Sequence, residues 1–270
     1  MSHDPESAEG TVTGTVELSV SGQRLRVEMT VTTAHVRPSR LLPLFQSVTN
    51  SLVDIAVKTV ETEGEQVSCT KGCAACCRQL VPISLSEAHA LAQLLAASPE
   101  PQGAKIRARF AAAREQLEHA GLLDTLHHPQ DVGADAAQVL GLAYFGLGIA
   151  CPFLEDESCS IHSDRPLACR EYLVSSPAQH CARPTAAGVS VVKLPAKASR
   201  VVRELASPAG TEGVAWVPLI LAPDWADAER GQLPPRPGPD IVRDFFMRLT
   251  KHELPEVASA DADRVSDPSR

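Results

Sequence analysis

The sequence predicts a mainly α protein with an N-terminal β-hairpin, an α+β fold whose helical domain is organised around a cysteine-rich metal site. Three observations carry the prediction. Period-two alternation is confined to residues 12–31, apolar residues recur every three to five positions in most later segments, and all eight cysteines fall in two compact blocks. Thiols used only as small apolar core residues would be scattered, so their clustering asks for a chemical reason.

Residues 1–10 are small, acidic and polar and read as a disordered lead. Val12, Val16, Leu18 and Val20 then share one face, Ser21-Gly22 supplies a tight turn, and Leu25, Val27, Met29 and Val31 continue the alternation. From Ser39 the period becomes helical through Leu41, Phe45, Val48, Leu52, Ile55 and Val60, with Pro43 tolerated in the opening turns. The polar stretch 61–65 delivers the chain to Cys69. Domain boundaries are expected at 11–66 for hairpin plus helix and 67–185 for a cysteine-cluster domain. A mixed α/β region at 186–255 and a polar tail at 256–270 complete the division.

Between the cysteine blocks the pattern is helical. Ser84 and Glu87 form a capping box ahead of an Ala- and Leu-rich run to Ala97. Pro99 and Pro101 end that helix, and a second, over 104–120, aligns Ile106, Phe110, Ala113, Leu117 and Ala120. A third is expected over 134–147. This excursion, from about 84 to 148, must return its ends together if the two blocks share a site, and it would then shield that site from solvent. Beyond Cys181, short strands are expected over 189–193 and 214–221, helices over 197–206 and 241–251, and a stiff proline-rich loop over 232–239.

Composition removes several functions. A net charge of -8 opposes a general nucleic-acid surface, and 4% aromatic residues leave few rings for stacking. The longest apolar stretch, 139–150, falls short of the roughly 20 residues that cross a bilayer. It is expected to be buried beside the second cysteine block. No basic and apolar leader opens the chain, so a cytoplasmic location is expected, with neither nucleic acid nor membrane as partner. A protein partner stays open.

Cys69, Cys73, Cys76 and Cys77 place four sulfurs within nine residues, with Gly72 allowing a sharp turn. Cys151, Cys159, Cys169 and Cys181 are more widely spaced and need a fold to gather them. Disulfides fit poorly: nothing directs the chain to an oxidising compartment, and adjacent Cα atoms about 3.8 Å apart leave Cys76 and Cys77 too close for an unstrained bridge. A redox role for Cys73-Ala-Ala-Cys76 lacks the βαβ context that motif requires. Metal ligation by all eight cysteines is the remaining reading. All-sulfur ligation suits zinc and an iron-sulfur cluster alike, and eight thiols exceed the four of one simple centre. Cys76 and Cys77, as neighbours in sequence, are expected to point apart.

Arg165 and Arg170 either offset the charge of a thiolate cage or form surface salt bridges with Asp156, Glu157 or Glu171. His162 is a candidate ligand or a supporting residue, His127-His128 read as loop residues beside Pro129, and Tyr172 either packs or hydrogen-bonds near the site.

Cys69 to Cys77, followed by Cys151-Pro152-Phe153-Leu154, Cys159-Ser160-Ile161-His162, Arg165-Pro166, Cys169-Arg170 and Cys181, resembles the CxxCxxCC family of bacterial cysteine-cluster proteins. The one departure is that three residues, instead of two, separate Cys69 from Cys73. The resemblance implies binding of zinc or iron. It also admits an S-adenosylmethionine-dependent lysine N-methylase like those acting on flagellin, and a separate alternative is an adaptor held together by structural zinc. No Gly-rich loop after a predicted strand supports methyl transfer, so whether the chain is an enzyme stays open.

Overall fold

The computed structural model describes residues 10–20, 23–183, 188–207, 216–227 and 234–250. The turn at Ser21-Gly22, most of the lead and the tail fall outside this range. The hairpin is present: β1 (Thr11–Val20) pairs antiparallel with β2 (Gln23–Thr32), with Val16 opposite Val27 and Leu18 opposite Leu25. Because side chains alternate across a strand, one face puts Leu18, Met29 and Val31 into the interior while Thr13, Glu17, Arg26 and Glu28 face solvent.

A 3-10 turn at Pro38–Leu41 leads into α1 (Leu42–Thr62), where Pro43 sits in the first turn and needs no hydrogen-bonded N–H. Leu42, Phe45, Val48, Leu52 and Ile55 form its buried stripe. α2 (Leu85–Ala97) carries the expected capping box, and α3 (Gln102–His119) begins two residues earlier than the sequence suggested. Then come α4 (Leu123–His127), α5 (Ala134–Gly146), α6 (Leu167–Glu171), α7 (Ala198–Leu205), α8 (Ala222–Asp227) and α9 (Gly238–Thr250). Among the described residues no helix is long and apolar enough to cross a membrane.

Three apolar clusters hold these elements. The first joins the hairpin, α1, α7 and α9, with Leu167 of α6 inserted and Phe45 stacked on Phe245 at 4.3 Å between ring centres. In the second, α2 and α3 pack on Phe153, Ile161, Val217 and Leu219, with Phe110 edge-on to Phe153 at 5.5 Å. The third gathers Leu117, Leu126, Leu140, Tyr144 and Ile149. Phe153 and Leu167 belong to the second cysteine block's own connections, so that block is anchored in two cores at once.

Several expectations are corrected. The strand expected over 189–193 is a single bridge between Val174 and Val191. That over 214–221 reduces, within the described residues, to Val217–Pro218 paired with Pro82–Ile83, because Pro218 has no N–H to extend a ladder and the chain turns at once into the 3-10 segment Leu219–Leu221. Arg236–Pro237, expected as loop, pairs with His35–Val36. The apolar stretch 139–150 is not buried as a whole. Leu140, Tyr144 and Ile149 point inward, but Val139 is 68% and Leu142 52% exposed, since α5 lies against one cluster and one helix face is all that such a contact can cover.

Gly238, the first residue of α9, explains how that helix meets the hairpin. A Cβ there would lie 2.3 Å from the Thr32 carbonyl oxygen and 2.7 Å from Val31 Cγ1, so only glycine permits the approach. Its N–H donates to the Ala34 carbonyl at 3.1 Å. Gly238→Ala is therefore expected to destabilise the protein by about 2 kcal/mol through overpacking against backbone that has no rotamer to yield, read as a lowered urea midpoint at unchanged m-value.

Candidate metal centre

Cys69 lies in a segment without regular secondary structure. The Cys73 N–H donates to the Thr70 carbonyl at 3.0 Å, closing a turn in which Gly72 takes a φ of 88°, and this turn absorbs the additional residue between the first two cysteines. The chain continues into a 3-10 turn, Ala75–Arg78, that carries Cys76 and Cys77. In the second block, Leu154–Glu155 pairs with Ser158–Cys159 across a two-residue turn. Asp156 and Glu157 both have positive φ there, 47° and 52°, a strained choice for residues other than glycine. Cys169 rides on α6 and Cys181 on the 3-10 turn Ala178–Ala182.

The helical excursion returns its ends to one place. The Cys151 N–H donates to the Cys77 carbonyl at 2.8 Å, joining the two blocks backbone to backbone. On the far side, the Ser68 N–H donates to the Val174 carbonyl at 2.9 Å and the Ser68 hydroxyl to that of Ser175 at 3.2 Å. Gln79 Nε2 donates to the Tyr172 hydroxyl at 3.3 Å, which gives Tyr172 its place beside the blocks. Arg78 adds a bidentate ion pair to Glu157, 2.8 and 3.1 Å, and so holds the strained turn of block two against block one.

All eight cysteines are free thiols. Ionisation of Cys76 would raise the pKa of Cys69 and Cys181 as well as those of Cys151, Cys159 and Cys169. The single turn of 3-10 helix carries both Cys76 and Cys77, and the Cys77 thiol acts on Cys76 through a hydrogen bond. That bond, then burial, raises the Cys76 pKa well above the ordinary thiol value. Burial pushes Cys151 up to about 12 and raises Cys69, Cys159, Cys169 and Cys181 as well. Without a cation these thiols stay protonated at neutral pH.

Among the described residues no three His, Cys, Asp or Glu side chains are disposed as a ready cage for an ion. The donor set nevertheless fits a thiophilic metal: the sulfurs are free, gathered and desolvated, which is the chemistry that zinc and iron-sulfur centres use. Binding sites of this kind commonly assemble with the metal, each thiol giving up its proton as it ligates.

No histidine completes a metal-binding group with the cysteines among the described residues. His127 Nε2 lies 3.5 Å from Asp224 Oδ2, within the contact between α4 and α8, while His162 is exposed and its pKa is lowered mainly by the charge of Arg165. The salt bridges considered for Arg165 and Arg170 do not form. Glu157 is taken by Arg78, and Glu171 accepts the N–H and hydroxyl of Ser199. Arg170 instead donates to the carbonyls of Arg165 and Ser163 and to Asn50 Oδ1 on α1.

Glu87 is the residue that sequence reasoning undervalued. Beyond capping α2, its Oε1 accepts the Leu167 N–H at 2.8 Å, while its Oε2 accepts the Ser84 N–H and hydroxyl, both at 2.8 Å. One buried carboxylate thus ties the start of α2 to the start of α6, two residues before Cys169. The capping box was a visible signal; the second partner, far along the chain, left none.

A helical fold that folds two cysteine blocks onto each other defines a thiol-cluster protein. Residues 68–187 match the model of the CxxCxxCC family, described as "Putative zinc- or iron-chelating domain", and that span holds all eight cysteines, so the resemblance read from the motifs holds there. No curated protein and no solved structure matched the chain. The methylase alternative gains no support from these comparisons.

Proposed function

We propose that the chain is a metal-binding protein whose two cysteine blocks together hold zinc or an iron-sulfur cluster, with ligands drawn from Cys69, Cys73, Cys76, Cys77, Cys151, Cys159, Cys169 and Cys181. The observation that carries this reading is the bond from the Cys151 N–H to the Cys77 carbonyl. It brings together two sets of free thiols separated by a long helical excursion, an arrangement that disordered or merely structural cysteines would have no cause to adopt. The domain match supports the same two metals. When bound, either group would supply a strong positive centre that makes deprotonation of the buried thiols favourable.

The experiment is anaerobic purification followed by iron, zinc and acid-labile sulfide analysis. Iron with stoichiometric sulfide identifies a cluster, and zinc without sulfide identifies a zinc site. Neither metal in the protein, together with no uptake of zinc or iron by the reduced apoprotein, would overturn the proposal.

A further inference from the structure

The connection between Cys151 and Cys159 is a tight hairpin whose two central residues, Asp156 and Glu157, both lie in the left-handed region, at φ of 47° and 52°. Two-residue turns of this kind favour asparagine or aspartate followed by glycine, because only glycine takes the second place without cost. Asp156 fits the first place. Glu157 stands where glycine would be easiest, and such a residue persists only where surrounding contacts hold it. Its side chain is 54% exposed and satisfies no buried donor among the described residues, so filling the interior does not explain it. Its partner is Arg78, in a bidentate pair of 2.8 and 3.1 Å, and the same guanidinium donates to the Ala74 carbonyl at 3.1 Å, which anchors it in the backbone of block one.

The place of this pair in the chain gives it a use. Cys77, the neighbour of Arg78, accepts the Cys151 N–H on its carbonyl at 2.8 Å. Residues 77 and 78 therefore grip the connection at both of its ends, by backbone at Cys151 and by side chain at the turn, two residues before Cys159. From α3, Arg109 Nη1 donates to the carbonyls of Pro152 and Leu154 at 3.1 and 3.3 Å and to Glu155 at 3.0 Å, which ties the first strand to the helical excursion. The hairpin's own ladder is two residue pairs long, too short to keep its orientation without such ties.

Resting on the metal-binding reading above, we propose that Arg78 and Glu157 are a positioning pair for the metal centre: they hold the hairpin of block two so that Cys159 meets the first block, and the glutamate at glycine's place makes the tie. Neither residue ligates the metal. Apparent metal affinity falls in proportion to the fraction of molecules whose ligands are in the competent arrangement. A hairpin released from block one stays folded on Arg109 and yet binds metal less well. An exposed ion pair without such a task would change neither stability nor affinity by much.

The test uses the full chain, reduced and freed of metal, titrated with zinc in competition with a chromophoric chelator, or with ferrous iron if the wild type takes up iron alone. Glu157→Gly is expected to weaken metal binding about tenfold, as loss of a residue that supports the ligands of a metal site does. In the metal-free protein the same substitution removes the backbone strain together with the pair, so the urea midpoint is expected to equal the wild type's or exceed it. Affinity thus falls while stability does not, a combination that loss of a merely structural contact would not produce. A double-mutant cycle separates the pair from the charge that each residue brings. Arg78→Gln is expected to weaken binding about tenfold in the wild-type background and less than about threefold in the Glu157→Gly background.

Wild-type affinity in Glu157→Gly would overturn the inference while leaving the metal site intact. A metal-free urea midpoint that falls in Glu157→Gly would do the same by making the pair an ordinary structural contact, and so would equal losses for Arg78→Gln in both backgrounds, which would make Arg78 act through its charge alone. A wild type that takes up neither zinc nor iron would remove the metal-binding reading and this inference together.

Discussion

Glu87→Ala is expected to lower the unfolding free energy by about 3–5 kcal/mol, because it leaves two buried backbone N–H groups, those of Ser84 and Leu167, without acceptors at about 1–3 kcal/mol each and strips the Ser84 hydroxyl of its carboxylate partner, leaving only the Ser84 half of the capping box. The side chain is 3% exposed, so water cannot step in without opening the interface between α2 and α6. Glu87→Gln separates the contributions. Its single carbonyl oxygen can serve one of the two N–H groups, and its amide brings donors where the site offers donors already, so an intermediate loss is expected. Urea unfolding of the metal-free protein measures both. A loss below about 1 kcal/mol for the alanine variant would mean that the carboxylate's three hydrogen bonds are not maintained in solution. Because Leu167 opens the helix that carries Cys169, the alanine variant should also bind zinc more weakly than its stability loss alone would cause.

The local features of the fold were legible in the sequence. Period-two alternation identified the hairpin and its inward face, the spacing from Leu41 to Ile55 identified α1, and Ser84 with Glu87 marked the start of α2. These signals reside within a few residues, and tertiary context reinforced them. What escaped depends on distant partners. Val217–Pro218 is a strand only because Pro82–Ile83 lies beside it, and α8 is too short to announce itself. α5 was read as buried from its apolarity, but hydrophobic content does not say how many faces a helix has covered.

The site divides in the same way. The cysteine blocks and Gly72 could be recognised from spacing, and their meeting followed only on the condition that the two blocks share a site. The pairing of Arg78 with Glu157 was not available from spacing. Arg78 stands next to Cys77 and offered no reason to reach across to the other block. Once it does, Glu157 is taken, and Glu171 is held by Ser199.

Cys76→Ser is expected to weaken zinc binding by about 100-fold or more, whereas Cys77→Ser should cost far less. A structural zinc site contributes about 10–16 kcal/mol over four ligands, so one thiolate accounts for about 3 kcal/mol, which is about 100-fold in affinity. Of the adjacent pair, Cys76 is the sulfur whose ionisation would bear on thiols of both blocks, so any centre that uses thiols from both sides has most to lose at this position. Serine is nearly isosteric and keeps a hydroxyl to bond with Cys77, so the metal-free fold should be little changed. Two readouts check the claim: chelator competition for affinity, and the thermal shift produced by zinc, which at a free concentration of 100 times Kd is worth about 2.7 kcal/mol for the wild type. At that same zinc concentration a variant weakened 100-fold is only half loaded, and the stabilisation should fall to about 0.4 kcal/mol. If Cys76→Ser retains the full shift while Cys77→Ser loses it, the ligand role belongs to Cys77, and the thiol-to-thiol hydrogen bond would then mark Cys76 as the supporting member of the pair.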